Sequence, residues 1–207
     1  KPFLLRIPVT GQRPITYSAN NLPGGLSLQN NILSGSVAEE GEYKITLSAQ
    51  NALGKTEKTL TLEICPGNVL VTPLLGFTSW NAFGADVTQA DMEAIANRLV
   101  ELGITEYGYG YVNLDSGWQS HYGGEFDAVV PNEKFPDMKK LCDDIHSLGL
   151  KCGIYSTPMM NAFGRTRGMP GCTRGQRDPE YMESARGIAL EHYEENNVKQ
   201  WCQWGFD

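Results

Sequence analysis

The chain has 207 residues and a formal net charge of −7 at pH 7, which argues against a nucleic-acid partner because such proteins carry basic faces. Hydrophobic residues make up 41% of the chain and charged residues 20%, so we expect a globular protein with a sizeable core. No apolar run is long enough to span a bilayer, and we expect no membrane span.

The five cysteines predict neither a zinc ribbon nor a disulfide framework. None of them forms the C-x-x-C pair that zinc ribbons use. An odd number spread over a chain of this length is also unlike a disulfide-rich scaffold. Cys142 and Cys152 lie inside apolar patterns, so we expect both to be buried thiols.

Residues 1–66 predict a small β-sandwich. Short β-rich runs alternate with turns that contain glycine and proline, and no convincing helical period occurs. In the longest run, alternation would place Tyr43, Ile45, Leu47 and Ala49 on one face of a strand. The β-rich runs lie at residues 14–18, 22–26, 32–36, 41–49 and 56–64.

This segment resembles the immunoglobulin-like He_PIG repeat of bacterial surface and secreted proteins. The resemblance rests on LPGGLSL at 22–28, LSGS at 33–36, EGEY at 40–43 and AQNALG at 49–54. It implies a secreted, periplasmic or cell-surface location in a bacterium, but no chemistry. Because the segment contains no histidine, no tryptophan and no carboxylate cluster, we expect a spacer or packing role rather than sugar binding.

After Cys65 the pattern changes to strands that alternate with helices. We place the boundary near residues 65–71, which gives a second domain over residues 67–207. Such alternation predicts a parallel sheet, whether as the start of a doubly wound sheet or of a (β/α)₈ barrel, and the pattern alone leaves both open. The strands are expected at residues 69–77, 109–114 and 150–155.

Two helices of this domain have clear ends in the sequence. Thr88 and Asp91 form a capping box that would begin the first helix, and Gly103 would end it. Pro136 and Gly149 would bound the second. Their buried stripes are expected at Met92, Ile95, Ala96, Leu99 and Leu102, and at Met138, Leu141, Ile145 and Leu148.

A third helix is predicted from Asp178 and Pro179, which are typical of an N-cap and a first helical position. Gly187 and the polar residues 194–197 are expected to interrupt it before an apolar stretch at 198–204. Its inward positions are expected at Tyr181, Ala185, Ile188 and Ala189.

The residues that follow the three strands predict a sugar site. In a (β/α)₈ barrel, reactive groups lie at the C-terminal ends of the strands. Those positions hold Trp80, Asp115, Trp118 and Tyr155. Aromatic rings pack on the apolar faces of sugars, and a carboxylate accepts hydrogen bonds from hydroxyl groups. From composition alone, Trp80 and Trp118 could equally be core residues.

The second domain resembles the melibiase-type α-galactosidases over residues 72–207. LGFTSWNAFG at 75–84 and YVNLDSGWQ at 111–119 are similar to the first two strands of that family. NEKFP at 132–136 and HSLGLKCGIYS at 146–156 follow in the family's order. The implied fold is multi-domain: an all-β immunoglobulin-like sandwich followed by the first three β/α units of a (β/α)₈ TIM barrel.

The resemblance implies a glycosidase that hydrolyses terminal α-galactosides with retention and needs no metal or organic cofactor. Two carboxylates, a nucleophile and an acid/base, would stand about 5 Å apart. Both are expected beyond Asp207, and the rest of the polypeptide would complete the barrel. No catalytic residue is therefore assigned within the 207-residue chain, which is expected to be inactive alone. Cys172 lies where relatives often have a cysteine bonded to one just after the nucleophile.

Carried over residue by residue, the resemblance assigns the substrate-binding positions. Trp80 resembles the aromatic wall of the galactose pocket, and Tyr155 resembles a residue beside the nucleophile. Asp115 resembles the first carboxylate of a tandem Asp-Asp. Trp118 is added as a substrate-binding position because it follows the second strand, not because of the resemblance. Ser116 replaces the second aspartate of many relatives, which leaves open whether the enzyme is an α-galactosidase, an α-N-acetylgalactosaminidase or a β-L-arabinopyranosidase.

A function of a different class is also compatible with the sequence. The protein would then be a non-catalytic extracellular carbohydrate-binding or adhesion protein, with the β-sandwich as its functional part. An aspartate at the end of a fourth strand would favour the enzyme over the binder.

Overall fold

The computed structural model describes residues 2–66, 74–162, 168–181 and 187–207. These residues form two compact units. The first contains the described residues up to Leu75 together with Arg98–Gly110 and Leu148–Leu150. The second contains Gly76–Asn97, Tyr111–Ser147 and the described residues from Lys151 to Asp207. Among the helices of these ranges, none combines the length and the apolar composition that a transmembrane helix needs.

Residues 3–64 form the predicted β-sandwich. Its strands are β1 Phe3–Arg6, β2 Thr16–Asn20, β3 Leu26–Gln29, β4 Ile32–Gly35, β5 Gly41–Asn51 and β6 Gly54–Ile64. They form two three-stranded antiparallel sheets with the strand orders β1-β4-β3 and β2-β5-β6. Strand β1 was not predicted, whereas the other five strands fall on or beside the β-rich runs.

The two sheets enclose one hydrophobic core. Leu33 of β4, Ile45 of β5 and Leu62 of β6 are its buried centre. Lys44 is exposed between Tyr43 and Ile45, as the predicted alternation requires. Partly buried side chains complete the core: Phe3, Ala19, Leu22, Leu26, Leu28, Val37, Tyr43, Leu47, Leu60 and Ile64.

Two glycines of the He_PIG-like motifs allow β3 and β4 to begin and end in close backbone contact. Gly25 has φ +92° and Gly35 has φ +136°, backbone conformations that side chains with a Cβ rarely adopt. A Cβ on Gly35 would lie 1.9 Å from the Gly25 carbonyl oxygen, and one on Gly25 would lie 2.0 Å from the Ser36 oxygen. The two glycines are therefore needed in these motifs because the backbones of β3 and β4 approach too closely for a side chain.

The second unit is built on a three-stranded parallel sheet, as the sequence predicted, and the order of its strands is β11-β8-β7. Two antiparallel pairs, β9 with β10 and β12 with β13, lie in the connections that follow β8 and β11. The strands are β7 Gly76–Thr78, β8 Tyr111–Leu114, β9 Gln119–Gly123, β10 Ala128–Pro131, β11 Lys151–Ile154, β12 Thr173–Arg177 and β13 Ala189–His192. The apolar run predicted at 69–77 lies partly outside the described residues.

Four α-helices lie in the described residues: α1 Trp80–Phe83, α2 Gln89–Glu101, α3 Met138–Ser147 and α4 Glu194–Trp204. The capping box of α2 is confirmed, because the Thr88 amide donates to Asp91 Oδ2 at 2.9 Å and the Asp91 amide donates to Thr88 Oγ1 at 3.2 Å. Gly103 adopts the left-handed conformation at φ +69°, as a helix stop requires. Leu102, predicted to face inward, is 55% exposed because it lies past the last turn.

The start of α3 differs by two residues from its prediction. The helix begins at Met138, and Asp137 rather than Pro136 caps it, with its Oδ1 accepting from the Lys140 amide at 2.8 Å. Met138, Leu141 and Ile145 are buried as predicted.

The predicted helix from Asp178 to Ala189 is wrong in the described residues. Pro179–Tyr181 forms one 3₁₀ turn, and Ala189 begins β13. The Ala189 amide donates to Thr173 Oγ1 at 3.1 Å, and Ile188 accepts from the Asp178 amide at 2.8 Å. Partners distant in sequence therefore override the local helical pattern. Ala185 lies outside the described residues.

The polar stretch at 194–197 does not interrupt a helix but begins α4. Glu194 and Glu195 lie in its first turn, where acidic side chains interact favourably with the helix dipole. The loop predicted after β8 also contains a hairpin, β9–β10, that the sequence reading missed.

The core of the sandwich can be tested with a matched pair of substitutions. Leu33→Ala should lower the free energy of unfolding by about 2–5 kcal/mol, because it leaves a cavity at a fully buried position. Leu53→Ala, the same change at a side chain that is 78% exposed, should cost well under 1 kcal/mol. Urea unfolding of both variants measures the difference, and equal effects would contradict the assigned core.

Candidate functional site

The C-terminal ends of the three parallel strands lie side by side. Asn113 of β8 pairs with Thr78 of β7 on one side and with Gly153 of β11 on the other. Hydrogen bonds continue past the strands: the Ser79 amide donates to the Asn113 carbonyl at 3.1 Å, and the Tyr155 amide donates to the Leu114 carbonyl at 2.9 Å. The residues that follow the strands therefore share one edge of the sheet.

Asp115 lies at the centre of this edge with one carboxylate oxygen available. Its amide donates to Ser79 Oγ at 3.0 Å, and its Oδ1 accepts from the Ser116 amide at 2.7 Å. The side chain is half-buried. Within the described part of the chain, no group donates to Asp115 Oδ2. A carboxylate held by backbone contacts with an open oxygen can accept a hydrogen bond from a ligand hydroxyl.

Trp118 lies in the core and supports the neighbouring strand end. Its side chain is fully buried, and Nε1 donates to the Tyr155 carbonyl at 3.0 Å. Its ring meets that of Trp204 edge to face, with centroids 6.1 Å apart. The buried indole therefore fixes the backbone of Tyr155. The assignment of Trp118 to sugar contact stays a prediction.

Ser116 is also buried, in a turn packed against the segment after α1. Among the described residues its Oγ has no hydrogen-bond partner. The next residue, Gly117, has φ +125°, and a Cβ there would lie 3.0 Å from both the Ala85 oxygen and Val87 Cγ1. The turn at Gly117 therefore packs closely against residues 85–87. The role of Ser116 in sugar binding stays a prediction.

The two remaining predicted residues, Trp80 and Tyr155, are half-buried. Trp80 is the first residue of α1 and lies two residues after the end of β7. The Tyr155 hydroxyl donates to the Ala162 carbonyl at 3.3 Å. Both side chains retain partial exposure, as ligand-contacting aromatic residues require, and their role in binding stays a prediction.

Sequence reasoning missed the polar residues that hold this edge in place. Ser79 binds the Asp115 amide, and Gln119 Oε1 accepts from the Gly117 amide at 3.0 Å. Asn132 donates through Nδ2 to the Gly117 carbonyl at 2.8 Å, and its own amide donates to the Trp118 carbonyl at 2.7 Å. All three lie inside the quoted motifs, which was the signal available.

All five cysteines are free thiols. The predicted burial of Cys142 and Cys152 is confirmed. Cys142 and Cys152 are fully buried, and the contact with Cys142 together with burial raises the pKa of Cys152. Cys172 is buried with Sγ 3.5 Å from Ser156 Oγ, and burial raises its pKa. No group of three or more His, Cys, Asp or Glu side chains suited to a metal ion occurs in the described ranges.

Comparison with known families decides the relationship. Residues 72–182, more than half of the chain, match the family described as alpha galactosidase A. The chain belongs to the alpha galactosidase A family. Residues 2–64 match the He_PIG family of immunoglobulin (Ig) domains. The resemblance stated from the sequence is confirmed for both segments.

The related sequences match this chain over only part of their own length. A Neosartorya fischeri protein named "probable alpha-galactosidase B" is 48% identical over 96 residues, which are 44% of this chain and 22% of the relative. The α-galactosidase of Cyamopsis tetragonoloba is 34% identical over 138 residues, which are 66% of this chain and 29% of the relative. The chain thus spans less than a third of these relatives.

Solved structures of the family show the same relationship. A Bacteroides fragilis protein assigned as an α-galactosidase has 34% identity and a TM-score of 0.83, and the likeness covers 100% of this chain and 40% of that protein. The α-galactosidase I of Mortierella vinacea has 29% identity and a TM-score of 0.53, with 69% of this chain and 31% of that protein covered. The first likeness includes the β-sandwich.

Two serines at the site should respond differently to removal of the hydroxyl. Ser79→Ala should destabilise the chain by about 0.5–1.5 kcal/mol, because it removes the acceptor of the Asp115 amide. Ser116→Ala should be neutral or stabilising, because the buried Oγ has no partner in the described residues. Denaturant unfolding measures both, and a larger loss for Ser116→Ala than for Ser79→Ala would contradict the geometry.

Proposed function

We propose that the native gene product is a retaining glycoside hydrolase of the α-galactosidase type that acts on terminal α-galactosides. Membership of the alpha galactosidase A family supports the class of reaction. The observation that carries the proposal is Asp115, which lies at the shared edge of three parallel strands and whose Oδ2 accepts no hydrogen bond from the described residues. Trp80 and Tyr155 flank it on the neighbouring strand ends.

The proposed roles follow from the chemistry of these side chains. Asp115 accepts a hydrogen bond from a sugar hydroxyl, because a carboxylate is a strong acceptor for such a group. Trp80 packs its ring against the apolar face of the sugar, and Tyr155 forms a further wall of the pocket. Ser116 and Trp118 shape the floor of the site from below.

The reaction needs two carboxylates that this edge does not supply alone. A retaining glycosidase requires a nucleophile and an acid/base about 5 Å apart. Among the nine residues 79–81, 115–117 and 155–157, which directly follow the strands, Asp115 is the one carboxylate. We therefore propose that both catalytic carboxylates lie outside the 207-residue chain, and that Asp115 binds rather than attacks the sugar.

The proposed architecture is a (β/α)₈ barrel that begins with β7, β8 and β11. The parallel order with β8 at the centre supports it, as does the presence of the polar residues at the C-terminal strand ends, where barrel enzymes bind their substrates. We also propose a secreted, periplasmic or cell-surface location, which the match to the Ig-domain family supports.

The alternative, a non-catalytic binder that uses the β-sandwich, has less support. The sandwich has a groove of about 550 Å³ between β1 and the β5–β6 pair. Its lining consists of aliphatic residues, threonines, Pro8, Ser48, Glu57 and Lys58, without an aromatic ring. Sugar sites usually contain aromatic platforms, so the groove does not favour carbohydrate as its ligand.

The proposal can be tested by Asp115→Ala in the native gene product. Loss of the carboxylate should lower kcat/KM for an aryl α-galactoside about tenfold to hundredfold, because a hydrogen bond to a charged group contributes about 1.5–3 kcal/mol. Asp143→Asn, at an exposed position on α3, is the matched control and should retain activity. An unchanged kcat/KM for Asp115→Ala would contradict the assigned role. Aryl N-acetyl-α-galactosaminide and β-L-arabinopyranoside assayed in parallel identify the preferred sugar.

The location of the catalytic carboxylates can be tested directly. The purified 207-residue chain should not hydrolyse an aryl α-galactoside, whereas the native gene product should. The reason is that Asp115 alone cannot carry out a double displacement. Turnover by the short chain that survives repurification would contradict this and would direct the search to Asp115, Glu125 and Asp127.

A further inference from the structure

An arginine in the second unit links two segments that lie far apart in sequence, the β9–β10 hairpin and the β12–β13 pair. Arg174 of β12 stacks its guanidinium 4.1 Å from the ring centroid of Tyr193 and 4.8 Å from that of Tyr122. Tyr122 belongs to β9, and Tyr193 directly follows β13. The two rings are themselves 5.2 Å apart. The guanidinium therefore contacts one aromatic ring from each of these two segments.

The same guanidinium is held by carboxylates. Asp127, in the β9–β10 turn, accepts from Nη1 at 3.2 Å and from Nη2 at 2.6 Å. Glu191 lies 3.5 Å from Nε, and Nη2 also donates to the Tyr193 hydroxyl at 2.6 Å. The bond to Asp127 raises the pKa of Arg174 further, so the cation persists at all physiological pH values. A planar fork with five donors suits this arrangement, and a lysine cannot reproduce it.

The backbone at Asp127 also points to a fixed geometry. Its φ is +46°, a left-handed conformation that asparagine, aspartate and glycine tolerate best. The carboxylate is thus presented from a tight turn and reaches a residue 47 positions away.

From this cluster a continuous set of hydrogen bonds leads to the candidate site. The Tyr122 hydroxyl donates to the Gly171 carbonyl at 2.6 Å, and the Tyr193 amide donates to the Cys172 carbonyl at 2.8 Å. The Cys172 amide in turn donates to the Thr157 carbonyl at 2.7 Å. Thr157 lies two residues after Tyr155, so these hydrogen bonds connect the cluster with the segment that follows β11.

Tight packing makes these links rigid. A Cβ on Gly171 would lie 2.0 Å from the Met159 oxygen and 2.7 Å from Thr157 Oγ1. Cys172 is buried against Ser156, at 3.5 Å between Sγ and Oγ. A displacement of the segment 171–172 would therefore move the residues that follow β11 as well.

We propose that Arg174 is a positioning residue: by joining β12–β13 to the β9–β10 hairpin, it fixes Gly171 and Cys172 and thereby the segment that carries Tyr155. This inference rests on the proposed function, because it assumes that Tyr155 lines the sugar pocket. It requires no disulfide at Cys172, since side-chain stacking and backbone hydrogen bonds hold the segment.

The test compares Arg174→Met, Arg174→Lys and Tyr193→Phe in the native gene product. Arg98→Met, at an exposed arginine that pairs with Glu101 on α2, is the matched control. With an aryl α-galactoside, Arg174→Met should raise KM and lower kcat/KM about tenfold to hundredfold, because small displacements of a binding group are costly. Arg174→Lys should restore little of the lost kcat/KM. Tyr193→Phe, which keeps the ring, should retain most of the activity.

A merely structural role would give a different result. Partial unfolding lowers the amount of active enzyme and so reduces the apparent kcat, but it leaves KM unchanged. A changed KM with an unchanged melting temperature therefore supports the proposal. An unchanged KM in Arg174→Met, or full rescue by Arg174→Lys, would overturn it.

Amide hydrogen exchange provides a second measurement that does not depend on activity. In Arg174→Met, the amides of Cys172 and Tyr193 should exchange faster, whereas those of α3 should not change. If the native gene product has no glycosidase activity, the proposed function fails, and exchange alone decides whether Arg174 holds the segment. Unchanged exchange at both amides would contradict the proposed positioning role of Arg174. If Arg174→Met does not fold, Asp127→Asn, which the turn tolerates, serves as the second variant.

Discussion

The candidate site depends on one constraint, the central position of β8 between two parallel neighbours. Because β8 pairs with β7 on one side and with β11 on the other, three chain segments distant in sequence end at the same edge. The hydrogen bonds of Ser79 and Tyr155 extend this pairing beyond the strands. Backbone pairing alone therefore places Asp115 between Trp80 and Tyr155 along this edge.

Buried polar contacts then convert this arrangement into a fixed geometry. The Trp118 indole and the Asn132 amide both bind main-chain carbonyls next to the site. Unsatisfied buried groups are costly, so each of these bonds resists local displacement. In the connections that follow β8 and β11, the guanidinium of Arg174 contacts the rings of Tyr122 and Tyr193. Asp115 itself is held by two contacts, because its amide donates to Ser79 Oγ and its Oδ1 accepts from the Ser116 amide.

Features that depend on neighbours in sequence were predictable. The capping box of Thr88 and Asp91, the glycine stop at Gly103 and the alternation in β5 each follow from local stereochemistry. The two tandem segments and their families were also recognisable, because their motifs carry packing constraints such as the close approach of Gly25 and Gly35.

Features that depend on distant partners were not predictable. Ala189 fits a helical stripe, yet the Thr173 hydroxyl binds its amide and places it in a strand. For Trp118 the sequence left a rim position and a core position equally open, and its complete burial is evident only in the fold, where its ring meets that of Trp204. Arg174 gave no signal, since Asp127 and Tyr193 lie 47 and 19 residues away from it.

The most direct test of the central claim is a crystal structure of the native gene product with bound galactose. A sugar hydroxyl should lie within about 3 Å of Asp115 Oδ2, with the sugar ring against Trp80 and close to Tyr155. A galactose bound in the groove of the β-sandwich, or one that makes no contact with Asp115, would contradict the proposed role of Asp115.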